Sequence, residues 1–143
     1  MSFDLKIKNG DLVINQGDLQ TVIDNEKLIQ DILKICLTSV GSNPLHQWYG
    51  SFLTKSIVGT SLDSDVLVQV AQSQLNNSLE NLKKLQEAQV KSLQRVSGDE
   101  LLGAVSDISV LRNQFDPRLF NVLISAITKG FKPITTAFRV SNI

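Results

Sequence analysis

One histidine, one cysteine and fourteen carboxylates are the residues of this chain that could carry chemistry. His46 has no second imidazole to work with. Nucleophilic triads and histidine metal sites both need placed partners, and a single His two residues from Trp48 reads as a loop or core residue. Cys36 is equally solitary, which excludes an internal disulfide and zinc ligation by paired cysteines. It falls in an apolar helical run, where a lone cysteine behaves as a small hydrophobe. Asp63-Ser64-Asp65 lacks the later glycine and glutamate of a calcium loop. Acids there suit a helix N-terminus. Glycoside hydrolysis asks least, needing two carboxylates in unlike environments, with Glu80, Glu87, Asp99, Glu100 and Asp107 as candidates. Glu80 and Glu87 fall on a solvated helix face. Glu100, beside Leu101, is placed to be partly buried, yet nothing sets a second carboxylate opposite it. Aromatic content of 6% is thin for a saccharide cleft. The expectation is no catalytic residue, no cofactor and no metal.

The strongest structural signal lies in residues 100–141. Apolar residues recur at Val105, Ile108 and Val110, then at Leu119, Val122, Ile124, Ala126 and Ile127, then at Ile134, Ala137, Phe138 and Val140. Asn113-Gln114-Phe115-Asp116-Pro117 and Lys129-Gly130-Phe131-Lys132-Pro133 separate them. β-Branched and aromatic runs bounded by Asn, Asp, Gly and Pro predict a three-stranded antiparallel meander. Such a sheet has edges whose unpaired N–H and C=O groups can join another chain.

Upstream, Phe3, Leu5 and Ile7 alternate with polar residues, Asn9-Gly10 signals a tight hairpin, and Gln16-Gly17-Asp18 turns into a third run. A helix is expected from Asp24 or Asn25, with Leu28, Ile29, Ile32, Leu33, Ile35, Cys36 and Leu37 covering most of its circumference, so it belongs at the centre of the core. Residues 42–50 read as loop, and residues 52–58 as a short apolar turn. The longest helical pattern runs from about 63 to 96 on a stripe of Leu67, Ala71, Leu75, Leu79, Leu82, Leu85 and Ala88, with Asn76-Asn77 its weakest point and Gly98 as the expected C-cap. No internal repeat is evident. The fold class is therefore α+β: an N-terminal short β-meander, central helices including one long helix, and a C-terminal three-stranded antiparallel meander, as one domain over residues 1–143.

Apolar content of 42% and charged content of 20% are globular values, and fourteen basic residues balance fourteen acidic ones. That balance gives no long-range pull toward nucleic acid or anionic lipid, so neither is an expected partner. No apolar run of about eighteen residues predicts a membrane span, and the N-terminus does not read as a signal peptide. Synthesis in a cytoplasm is the expectation.

Residues 28–50 begin Leu-Ile-Gln-Asp-Ile, with Gln30, and continue through Leu37-Thr38, Gly41, Pro44 and Tyr49-Gly50. In order and spacing these resemble the baseplate sheath-initiator family of contractile injection machines, which occurs in contractile-tailed phages, R-type pyocins and type VI secretion systems. Asp4 followed by Gly10-Asp11-Leu12 is similar to that family's strand motif, and its closing meander corresponds to residues 100–140. Many members carry Glu-Pro-Arg where the helices enter the meander, in contact with wedge proteins. Here that junction reads Gly98-Asp99-Glu100-Leu101, without the proline or arginine, and Asp116-Pro117-Arg118 sits one strand later, in a turn.

The resemblance implies a non-enzymatic virion protein of the tail baseplate, made in the host cytoplasm. Six copies would ring the tail tube beside tube or hub proteins, and would contact baseplate wedge proteins through Gly98, Asp99, Glu100 and Leu101. A sheet edge formed by Ile134, Thr135, Thr136, Ala137, Phe138, Arg139 and Val140 would receive strands of the tail sheath protein and nucleate its assembly. A proline at Thr136 is expected to remove one edge donor. Gln30, Thr38, Gly41, Pro44, Tyr49 and Gly50 are expected to shape the packed loop. The alternatives are a type VI secretion baseplate subunit or a peptidoglycan-cleaving enzyme, since the family has also been labelled lysozyme.

Overall fold

A computed structural model of the chain describes residues 2–53, 55, 64–92 and 94–141. Most of the turn expected over 52–58, and Asp63 of the acidic cluster, lie outside them. The architecture is α+β: short N-terminal antiparallel hairpins, one medium and one long helix, and a three-stranded antiparallel sheet.

The N-terminal strands do not form one continuous meander. They pair as three separate two-residue ladders: β1 (Asp4–Leu5) with β6 (Thr21–Val22), β2 (Ile7–Lys8) with β3 (Asp11–Leu12), and β4 (Ile14–Asn15) with β5 (Asp18–Leu19). At the centre, Lys6 N–H donates to Gln20 C=O, Val13 N–H to Lys6 C=O, and Gln20 N–H to Val13 C=O, at 2.8 to 3.0 Å. These donors are seven residues apart, and so are Asp4-Leu5, Asp11-Leu12 and Asp18-Leu19. The chain therefore does contain an internal repeat, in three units of seven, closed into a ring when β6 returns to β1. Its shortness hid it, because each unit supplies only one turn and two strands of two residues. Asn9 and Gly10, then Gln16 and Gly17, all take positive φ, as the tightest hairpins require. Asp24 occupies the third glycine-equivalent position and keeps φ at 51°. There the chain leaves the ring and enters a helix.

Helix α1 (Asp24–Leu37) buries Leu28, Ile32, Ile35 and Cys36. It packs against both the sheet and the second helix, as its broad apolar surface predicts. Helix α2 (Ser64–Lys91) passes unbroken through Asn76 and Asn77 and buries Leu67, Ala71, Leu75, Leu79 and Leu82. It ends five residues before the expected limit. Ser92 N–H still reaches Ala88 C=O, but Gln94 N–H closes on Gln89 C=O, and the chain is extended by Ser97. Gly98 is thus no helix cap and opens a 3-10 turn, Gly98–Glu100.

The sheet has the order β7 (Leu102–Arg112), β8 (Leu119–Thr128), β9 (Pro133–Ser141). Alternation puts Phe120, Val122, Ile124, Ala126, Ile134 and Val140 against the helices, in one cluster with Leu28, Ile32, Leu75 and Leu79. Each of these side chains larger than alanine contributes roughly 1.5–3 kcal/mol by leaving water. Helix α1 lies against β9 and α2 against β7, on the same face. The opposite face carries Leu111, Leu123 and Ile127, all partly exposed.

Candidate functional site: an open sheet edge and the junction that anchors it

The two edges of the sheet are unlike. Along β7 the register slips between Leu102 and Ala104 and again between Val105 and Asp107. Asn113 N–H donates to Leu119 C=O at 2.8 Å, which makes Leu111, Ser109 and Asp107 the residues bonded to β8 and turns Ile108 outward. Its outward carbonyl is already occupied, by the Gln72 side-chain amide at 3.0 Å. Bulges and a covering side chain are how natural sheets blunt an edge.

β9 has neither device. Thr128 N–H donates to Lys132 C=O across the hairpin at 2.9 Å, and the register continues without a slip to Leu119 and Ser141. Counting from that closing pair, Ile134, Thr136, Phe138 and Val140 exchange hydrogen bonds with β8, while Thr135, Ala137 and Arg139 point N–H and C=O away from the sheet. Among the described residues nothing hydrogen-bonds those outward groups. The seven residues expected to form the edge thus divide. Ile134, Thr136 and Val140 are buried and Phe138 half-buried, leaving Thr135, Ala137 and Arg139 as the exposed register. This overturns the expectation for Thr136: its N–H belongs to the β8 ladder, so a proline there would damage the sheet rather than the edge.

The hairpin between β8 and β9 is anchored to the junction at 98–101. Lys129 N–H donates to Leu101 C=O at 2.9 Å and Gly130 N–H to Gly98 C=O at 3.2 Å. Lys132 Nζ donates to Asp99 Oδ2 at 2.8 Å. A Cβ on Gly130 would stand 2.4 Å from Asp99 Oδ1, so a side chain there would require the Asp99 carboxylate to swing aside. Glu100 is 1% exposed. Its two carboxylate oxygens accept the Ser2 N–H (3.0 Å) and the Ser2 hydroxyl. Leu101 is also buried, so only Gly98 and part of Asp99 reach the surface of this segment.

Gln86 completes the junction, and the sequence reading missed it. From α2 its amide donates to Glu100 C=O at 3.1 Å and its carbonyl accepts Leu102 N–H at 2.8 Å, with 4% exposure. Ser97 Oγ donates to Asp24 Oδ1 at 2.8 Å. The overlooked signal was a polar residue at the spacing of the apolar stripe, four after Leu82. Ser78 is a second case: its hydroxyl donates to Gly50 C=O at 3.1 Å.

Gln30 ties the N-terminal ring to α1. Its amide donates to Asp4 Oδ2 and Leu5 C=O, and its carbonyl accepts Ile7 N–H. Lys34 donates to the same Asp4 carboxylate and pairs with Asp31 at 3.2 Å. Burial alone would raise the Asp4 carboxyl, but hydrogen bonding and charge from Lys34 outweigh it and hold it below its usual value. Burial pulls Lys34 down, and its two carboxylate partners more than reverse that.

The other residues expected to shape the loop divide between packed and exposed positions. Thr38 donates its hydroxyl and N–H to Lys34 C=O, and its own carbonyl accepts Ser51 N–H. Gly41 N–H reaches Gln47 C=O with φ at 88°. Tyr49 is half-buried, with its phenol pushed up chiefly by burial. Pro44 is exposed between them. His46 stacks obliquely on Trp48, ring centres 5.5 Å apart. Among the described residues no group of three His, Cys, Asp or Glu is placed to hold a metal, and no helix is long and apolar enough to cross a membrane.

No protein-family profile matches the chain, and no curated protein matches it in sequence. Its fold does match a solved structure. A crystal structure of a Geobacter sulfurreducens protein, provisionally described as a tail lysozyme, superposes with a TM-score of 0.61 over 82% of this chain and 90% of that one, at 9% identity. The chain therefore shares the fold of that protein.

Proposed function

We propose that the chain is a structural, non-enzymatic component of a contractile tail's baseplate, and that its β9 edge receives strands of the tail sheath protein and initiates the sheath. The observation that carries this reading is the asymmetry of the sheet: β7 is bulged and covered, whereas β9 offers a regular run of backbone groups with no partner among the described residues. Main-chain pairing at such an edge gives affinity and register together. The likeness to a tail protein and the sheath-initiator motifs around Gln30 and Tyr49-Gly50 point the same way. In this reading the chain rings the tube in six copies. The interior anchoring of Glu100 and Leu101 leaves wedge contact to Gly98, Asp99 and the neighbouring hairpin.

Ala137→Pro removes one outward N–H and no ladder bond, so it should leave the domain folded and yield particles with short or absent sheaths. Thr136→Pro should instead lower the melting temperature of the isolated domain. Fully sheathed particles with Ala137→Pro would end the sheath reading.

The description of the fold neighbour favours a lysozyme as the second reading. Glu100, the one buried carboxylate at the junction, already accepts two hydrogen bonds from Ser2 and has 1% exposure, so it is not presented to a sugar. Purified protein should leave a peptidoglycan gel uncleared, and clearing lost on Glu100→Gln would favour the enzyme.

A further inference from the structure

We infer that the free chain pairs with a second copy of itself through β9, antiparallel, about a two-fold axis at Ala137. This does not depend on any role in a tail. An outward register at odd-numbered positions can pair with its own copy only when the opposed residue numbers sum to an even value, which a two-fold axis on Ala137 satisfies. Ala137 is also the midpoint of Pro133–Ser141, so this register overlaps the strand completely. Thr135 then lies opposite Arg139 of the other copy, and Ala137 opposite Ala137.

Charge and size both permit that register. Arg139 is the only charged residue of β9, and the axis sets it against a threonine rather than against its own copy. Like charges directly opposed would disfavour pairing. Ala137, at the axis, is the smallest side chain on the strand. Of the devices that protect natural edges, no bulge, lysine or covering segment is present between Ile134 and Val140 among the described residues; Arg139 is the one edge charge, and Pro133 withholds a donor only at the strand's start. β7 has two bulges and the Gln72 cover, so pairing is directed to β9 alone. The outer face beside it carries a shallow groove of about 370 Å³ between Leu111, Leu123, Ala137 and Arg139, which the second copy would border. A foreign strand reaching β9 would have to displace that copy.

Cysteine crosslinking reads the register directly. In an antiparallel pair, directly opposed hydrogen-bonded residues have Cα atoms about 5.5 Å apart, within the disulfide range of roughly 4.4–6.8 Å. Ala137→Cys should therefore give a disulfide dimer on mild oxidation of the purified chain. Thr135→Cys should not, because its two copies would stand more than about 13 Å apart along the strands. The natural Cys36 is buried, its thiol pushed up to about 12 by burial, and stays out of the reaction. Sedimentation equilibrium of the unmodified chain should show a concentration-dependent dimer. Ala137→Pro, with unchanged circular dichroism, should raise its dissociation constant at least about tenfold, since it removes the pair of hydrogen bonds at the axis. A chain monomeric up to near-millimolar concentration would overturn the proposal. So would a dimer that Ala137→Pro leaves intact, or one that Thr135→Cys traps as well as Ala137→Cys.

Discussion

Phe131 shows how one residue records a conflict between two demands. The hairpin from Thr128 to Lys132 is a type I turn closed by Phe131 N–H to Thr128 C=O, and the residue after such a turn takes the left-handed conformation. Glycine is the usual occupant, yet Phe131 sits there with φ at 64° and 88% exposure. The glycine is one residue earlier, at Gly130, where a Cβ would press on Asp99 Oδ1 and displace the carboxylate that Lys132 holds. Left-handed backbone costs a side-chain-bearing residue roughly 1–2 kcal/mol, and glycine's greater freedom when unfolded returns about 0.5–1 kcal/mol. Phe131→Gly should therefore stabilise the chain by up to about 1 kcal/mol, raising the melting temperature by about 3 °C. Thermal unfolding measures this, and a lower melting temperature would show that Phe131 packs better than its exposure implies.

At the scale of elements, the loop after α1 is held by backbone approach more than by side chains. Ser39 and Ser51 bridge in parallel, Ser51 Oγ donates to Cys36 C=O at 2.8 Å, and Gly50 takes φ of 120°. A Cβ at Gly50 would lie 2.5 Å from Thr38 C=O, where no flexible side chain can yield. Gly50→Ala should cost roughly 2–4 kcal/mol from strain and overlap together, lowering the melting temperature by about 10 °C. Equal stability would mean the loop repacks freely. The motif around Tyr49-Gly50 was readable in sequence as a packed loop, but the close approach of Gly50 was not, because its neighbour across the gap is twelve residues away. The same holds for α2. Its apolar stripe was legible, whereas Gln86 and Ser78 gained meaning only when Glu100, Leu102 and Gly50 were seen beside them.

Across the whole molecule, the N-terminal ring is joined to the body through Asp4, Gln30 and Lys34, which gives stability a predictable pH dependence. Asp4 titrates below its usual 3.8 when folded, so its contribution is complete above that value and fades as the pH falls through the lowered pKa. Lys34 titrates above 10.5, so its contribution is complete below that value and fades as the pH rises through the raised pKa. Lys34→Met should weaken the protein at neutral pH and flatten both limbs, which unfolding measured from pH 3 to 11 would reveal. Identical limbs in the variant would show the pair to be screened by water. By itself the sequence determined the fold class, the two helical stripes and the three long strands, because hydrophobic period and turn residues act over a few positions. Only the tertiary structure decided that the seven-residue units close into a ring, and that of the expected edge residues 134–140 it is Thr135, Ala137 and Arg139 that face out. Those depend on which backbone groups remain unpaired once every strand has found its neighbour, and no local pattern of residues encodes that.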